Sequence, residues 1–136
     1  MFINKKNKLL IMISYLLVSL GAAIGGGLRF GISRYTYKIL PVTFPYGTLF
    51  VNVIGSFIIG IIMFYLDPKE LITPRLRLFL TVGFCGGFTT FSTFSYETFS
   101  LFRDSQFILA GLNVLFNVLV CLTGIYLAYI FTKILN

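Results

Sequence analysis

Four long stretches carry no ionisable carboxylate, ammonium or guanidinium: residues 9–28, 47–66, 78–96 and 105–132 contain no Asp, Glu, Lys or Arg. A helix rising about 1.5 Å per residue crosses a ~30 Å hydrocarbon core in roughly 20 residues. Each stretch meets or nearly meets that length. The pattern predicts an all-α integral membrane protein with four transmembrane helices, over about 9–28, 47–66, 75–102 and 105–132. The first helix can continue past Arg29, and Pro41 and Pro45 separate it from the second. Asp67-Pro68-Lys69-Glu70 and Pro74 make a short polar loop before the third. The fourth, with 28 uncharged residues, must tilt or extend beyond the core. Loops this short leave no extramembrane domain, so one four-span domain over residues 1–136 is expected.

Polar positions inside the spans carry the functional information, because polar side chains in hydrocarbon need a partner or a water-filled path. Thr48, Asn52, Ser56 and Gly60 recur every four residues and stack on one face of the second helix; Asn113, Asn117 and Cys121 do so in the fourth. Two roles fit these rows, interhelical hydrogen bonding or lining of a pathway. The third span adds a sharper signal. Gly86-Gly87-Phe88-Thr89-Thr90-Phe91-Ser92-Thr93-Phe94-Ser95 sets five hydroxyl residues within seven positions behind a glycine pair. Hydroxyls compete for backbone hydrogen bonds and glycine weakens a helix, so a helix broken at mid-membrane depth is predicted. Irregular backbone there is tolerated when buried in protein or lining a polar cavity, and it exposes groups that hold ions. Phe88, Phe91 and Phe94 repeat through the same segment. Their ring edges, partly positive, suit a small anion that sheds water and must still be released; a lysine or arginine would hold it too tightly. The bland alternative is packing, since the chain has 16 phenylalanines.

Gly21/Gly25 and Gly27/Gly31 have the small-xxx-small spacing of closely packed membrane helices. Lys5, Lys6 and Lys8 before the apolar run, then Gly21-Ala22-Ala23, outline a signal peptide. The run is too long for one, and small residues continue to Gly27, so a retained span is expected.

Composition narrows the field. The chain is 57% hydrophobic with 11 basic and 4 acidic residues. Its net charge of +7 sits at span ends, where bases meet lipid headgroups and set topology, so nucleic acid is not expected as a partner. Histidine is absent, and Cys85 and Cys121 lie inside spans. A zinc site, a Cys–His nucleophile or a disulfide framework is therefore unexpected, and no constellation suggests an enzyme.

Three motifs in order carry a resemblance: Gly25-Gly26-Gly27-Leu28-Arg29-Phe30, Gly47 to Phe57, and Gly83 to Glu97. Together they resemble the Fluc/CrcB family of fluoride channels, over about residues 15–130. The resemblance implies passive, fluoride-selective export across a prokaryotic cell membrane, relieving fluoride toxicity. It also implies an antiparallel, dual-topology dimer with two pores and a structural sodium ion at its centre. Residue by residue, it makes Phe91 and Phe94 the pore phenylalanines and Asn52 the pore asparagine. Thr90 and Thr93 supply hydroxyls, and Thr48 and Glu97 join the polar path. Gly86 and Thr89 offer backbone carbonyls to sodium. Arg29 takes a structural or electrostatic role. Phe30 stands where the family often has tyrosine. Asn113 and Asn117 stand where the fourth span often has tyrosine and then serine; Asn117 is the fourth-span pore residue on this reading.

Two questions stay open on the residues. A small four-helix, dual-topology multidrug exporter is the alternative function, but it needs a membrane-embedded carboxylate. The first two spans have none, and Glu97 closes the third. Topology is the second. Lys5, Lys6, Lys8, Lys69, Arg75, Arg77 and Lys133 fall on one side, against Arg29, Arg34, Lys38 and Arg103 on the other. That bias favours cytoplasmic termini, whereas dual insertion needs near balance. Both a homodimer and a heterodimer with an oppositely oriented homologue are therefore expected partners.

Overall fold

The computed structural model describes residues 5–135, and all regular structure among them is helical. Residues 1–4 and 136 of the expected domain lie outside the described residues. Helix α1 runs over Lys5–Ile39, α2 over Tyr46–Leu66, α3 over residues 74–88, α4 over Phe91–Arg103 and α5 over Phe107–Ile134. Four helical stretches, Asn7–Ile39, Tyr46–Leu66, Pro74–Arg103 and Phe107–Ile134, are long and apolar enough to cross a membrane.

The boundaries follow local chemistry. Helix α1 passes Leu28 and ends only before Pro41, because Gly31 alone does not stop a helix. Pro74 opens α3 in its first turn, where a missing N–H is harmless, and Thr73 Oγ1 accepts from Leu76 N at 3.2 Å as the cap. Helix α5 begins at Phe107, later than Ser105, since Ser105 adopts φ 59° in the turn that links it to α4. The ladder widens over Ile62–Leu66 and Phe79–Cys85, as in the 2.9 Å bond from Asp67 N to Ile62 O. Between α3 and α4, Thr89 (φ −87°, ψ 162°) and Thr90 (φ −153°, ψ 114°) are extended.

Lipid tails are as apolar as leucine, so close backbone approach and hydrogen bonds, not apolar burial, hold such helices together. Helices α1 and α3 meet through interlocked glycines. A methyl group on Gly21 would lie 2.5 Å from the Phe79 carbonyl oxygen, and one on Gly87 would lie 2.5 Å from that of Ala22. On Gly25 it would overlap the Phe84 carbonyl and stand 2.8 Å from Phe88 N. The other expected pair finds no partner among the described residues: Gly27 and Gly31 have nothing within 4 Å of that position. Helix α5 turns Ala110, Asn113, Asn117, Gly124, Ala128 and Thr132 inward, chiefly against α2, where Gly60 admits Ala128.

These contacts predict opposite effects at neighbouring glycines. Gly25→Ala forces a backbone shift and should lower stability in detergent by about 1–3 kcal/mol. Gly27→Ala, in open space, should be neutral or gain up to ~1 kcal/mol from helix propensity. Thermal unfolding of the two purified variants checks the contrast.

Candidate functional site

The extended pair Thr89–Thr90 leaves peptide groups without helical partners, and one side chain takes them up. Thr89 N still donates to Cys85 O at 2.9 Å. Thr90 N donates instead to Asn52 Oδ1 at 2.8 Å, and Asn52 Nδ2 donates back to Thr90 O at 3.3 Å. The amide of Asn52 thus pairs with the Thr90 backbone as a second peptide would. Gly55, one turn along α2, has no side chain where Thr89 Cγ2 packs. Downstream, Thr90 Oγ1 accepts from Thr93 N at 3.1 Å and donates to Thr93 Oγ1 at 3.0 Å, capping α4.

From Asn52 a chain of donors runs across α5. Asn52 Nδ2 also donates to Asn117 Oδ1 at 2.9 Å. Asn117 Nδ2 donates to Asn113 Oδ1 at 2.9 Å and to Asn113 O at 3.1 Å. Asn113 Nδ2 donates to Thr98 Oγ1 at 2.8 Å, and Thr98 Oγ1 donates to Phe94 O at 2.8 Å.

Beside this chain lies an open hollow of about 360 Å³. It brings together Asn52, Gly86, Thr89, Thr90, Phe91, Phe94 and Asn117, with Ser56 and both cysteines on its wall. No lysine, arginine or carboxylate lines it. A second hollow of about 510 Å³ continues along α4 and α5 towards Phe102 and shares Phe91, Phe94 and Val118 with the first. The two rings lie 5.4 Å apart at 54° and stand at the junction, Phe91 79% exposed and Phe94 only 9%. Phe88 does not join them. It is buried and stacks on Phe84 at 5.6 Å, because the extended residues interrupt the three-residue repeat.

Three sequence-predicted residues lie outside these hollows. Thr93 is exposed on α4 and serves the cap. Thr48 is buried on α2. Glu97 accepts from Tyr37 Oη at 3.1 Å through Oε1, while its buried Oε2 has no hydrogen-bond partner. Sequence reasoning gave no site role to Tyr37 or Thr98. Tyr37 comes into reach only because α1 continues to Ile39, and the absence of a strong helix breaker before Pro41 was its one signal. Thr98 sits four residues beyond Phe94, the spacing at which a threonine bonds back to a carbonyl.

Residues 16–129 match the family described as CrcB-like protein, Camphor Resistance (CrcB). A protein of Geotalea uraniireducens named fluoride-specific ion channel FluC is 44% identical over 124 residues, covering 91% of this chain and 100% of the relative. Proteins of the same name from Trichlorobacter lovleyi and Koribacter versatilis are 50% and 40% identical, covering 83% and 82% of this chain and 90% and 88% of theirs. A largely apolar hollow that carries amide and hydroxyl groups but no cationic side chain, joined to a match over nearly the whole chain, leaves one conclusion: the chain belongs to the CrcB family.

Proposed function

We propose that this chain is a fluoride-specific ion channel, a multi-pass protein of a bacterial cell membrane that lets fluoride leave passively. The hollow carries the reading: amide, hydroxyl and aromatic groups line it and no fixed charge does. Fluoride must lose hydration water to pass, and amide donors and ring edges replace that water only weakly, which permits release. The relatives' printed name, fluoride-specific ion channel, supports the same function. The protein is a channel, not an enzyme. The multidrug-exporter alternative is not favoured, since the relatives that match nearly the whole chain carry the printed name fluoride-specific ion channel.

The ion's route on this reading passes Asn52, Thr90 and Asn117 in the first hollow and then Phe91 and Phe94 at the junction. The interruption at Thr89–Thr90 sits at mid-membrane depth. Thr93, Thr48 and Glu97 belong to the approaches of the path. Phe91, Ser92 and Thr93 are exposed at the start of α4, and hydroxyl groups facing lipid there would be costly. A second, antiparallel copy or an oppositely oriented homologue covers that side. The seven-to-four distribution of bases noted above keeps the heterodimer in contention.

The backbone fits a structural sodium ion. In a continuous helix Gly86 O and Thr89 O would accept from Thr90 N and Thr93 N, but those amides donate to Asn52 Oδ1 and Thr90 Oγ1. Two neutral carbonyl oxygens are thereby free of their helical partners, a donor type suited to hard cations. Bound there, sodium would supply positive charge that holds the extended segment in place.

Liposomes loaded with potassium fluoride and carrying the purified protein should release fluoride down its gradient far faster than matched chloride-loaded vesicles release chloride. Equal rates, or none from well-folded protein, would overturn the channel assignment. Phe91→Ile and Phe94→Ile should each remove most fluoride efflux per assembled dimer. Phe64→Ile, at a ring that meets Tyr129 edge-on at 5.4 Å and lines neither hollow, should lose little. Comparable small losses at all three would reduce the two rings to packing. Asn52→Leu strands the Thr90 N–H and should cost about 1–3 kcal/mol of stability as well as flux; an unchanged unfolding midpoint would refute the capping role.

A further inference from the structure

The family resemblance puts Asn113 at the head of a pore-lining polar track, but its surroundings say otherwise. Its side chain is 0% exposed and lines neither hollow. Its oxygen accepts from Asn117 and its nitrogen donates to Thr98. Thr98 does line the second hollow, and its hydroxyl is used on both sides, accepting from Asn113 and donating its only hydrogen to Phe94 O. Ser95 in the same hollow is committed likewise, donating to Phe91 O at 2.9 Å. Asn113 therefore acts at one remove from the ion, and Thr98 acts through the two bonds that tie α5 to α4.

We infer that Asn113 and Thr98 are positioning residues that set the Asn117 amide and tie it to the backbone that carries Phe94. This rests on the fluoride-channel reading for its consequence in flux, though not for the coupling itself. The linkage needs a group at position 98 that both accepts and donates. Thr98 Oγ1 accepts from Asn113, on a different helix, and donates one turn back along α4. Remove the hydroxyl and the buried Asn113 amide loses its acceptor. Asn113 is then free to turn, and Asn117 loses its fixed orientation towards Asn52. The ring of Phe94, 9% exposed and against this turn, shifts with it. Position 98 thus couples α4 to α5 at the point where the amide and aromatic parts of the path meet.

The test compares Thr98→Val with Thr98→Ser. Valine keeps the shape and removes the hydroxyl; serine keeps the hydroxyl. Loss of one buried hydrogen bond corresponds to roughly a two- to tenfold effect, so Thr98→Val should cut fluoride efflux by about that factor and Thr98→Ser should restore it. In an Asn117→Ala background Thr98→Val should change efflux little further, because its effect travels through the missing amide. Equal losses in both backgrounds, or equal losses from serine and valine, would overturn the inference. A second readout does not depend on conduction. In the protein labelled with ¹⁵N-asparagine, the Asn117 side-chain resonances should move in Thr98→Val and return in Thr98→Ser. Unmoved resonances would overturn the coupling even in a protein that conducts fluoride normally. Should Thr98→Val fail to assemble, Asn113→Ala gives the same comparison of resonances and flux. If wild-type vesicles pass no fluoride while the resonances move as expected, the channel reading fails and the coupling stands.

Discussion

A side-chain amide paired with a peptide group organises this molecule. Where the backbone is extended at Thr90, its N–H and C=O would face neighbours with nothing to bond, at a cost of several kcal/mol for each such group in lipid. Asn52 answers both with one amide. That pairing fixes α2 against the α3–α4 junction, and Gly55 keeps the surface flat enough for Thr89 to settle there. It also diverts Thr90 N from Gly86 O, while the Thr90 hydroxyl takes Thr93 N from Thr89 O. The second hydrogen of the Asn52 amide reaches Asn117 and brings α5 into the same network. Three spans are thus joined at one residue.

The network has a consequence for how an anion is held. Both amide hydrogens of Asn52 and both nitrogen contacts of Asn117 are directed at protein acceptors. On the proposed route an ion entering the hollow would meet donors that already have partners and would compete for them. The gain on binding is then a difference between two hydrogen bonds, smaller than either alone. Fast conduction requires shallow sites of that kind, and on the proposed route a cation-free wall whose amides already have partners would provide them.

The spans and their order were legible because hydropathy acts over twenty residues at a time and tolerates local error. The periodic rows were legible as faces: Thr48, Asn52, Ser56 and Gly60 do share one side of α2. What periodicity omits is the partner. The i, i+4 spacing could not say that Asn52 meets a peptide group, so hydrogen bonding and pathway lining looked like rivals, whereas the same amide bonds the backbone and lines the hollow. Phe88 shows a different limit. Its place in a three-residue repeat holds only while helical geometry is continuous, and two extended residues put it on Phe84. Gly21/Gly25 and Gly27/Gly31 share one motif, but only the first pair faces a helix of its own chain, a matter of rotation about α1 that spacing alone does not contain. Tyr37 was missed because it lies beyond the predicted end of the first span.

The glycine seam between α1 and α3 bears on biosynthesis. Helix α1 is translated before the α3 residues on which it docks, so its glycine stripe must wait for a partner while α2 is made. A glycine stripe in a helix waits at little cost, since its backbone bonds are satisfied internally and it exposes no polar side chain to the acyl chains. The amide of Asn52 is in the opposite position. Its partners, Thr90 and Asn117, are translated afterwards, and until then it is a polar group without a protein mate. The amide of one asparagine thus ties the completion of α2 to the two spans translated after it.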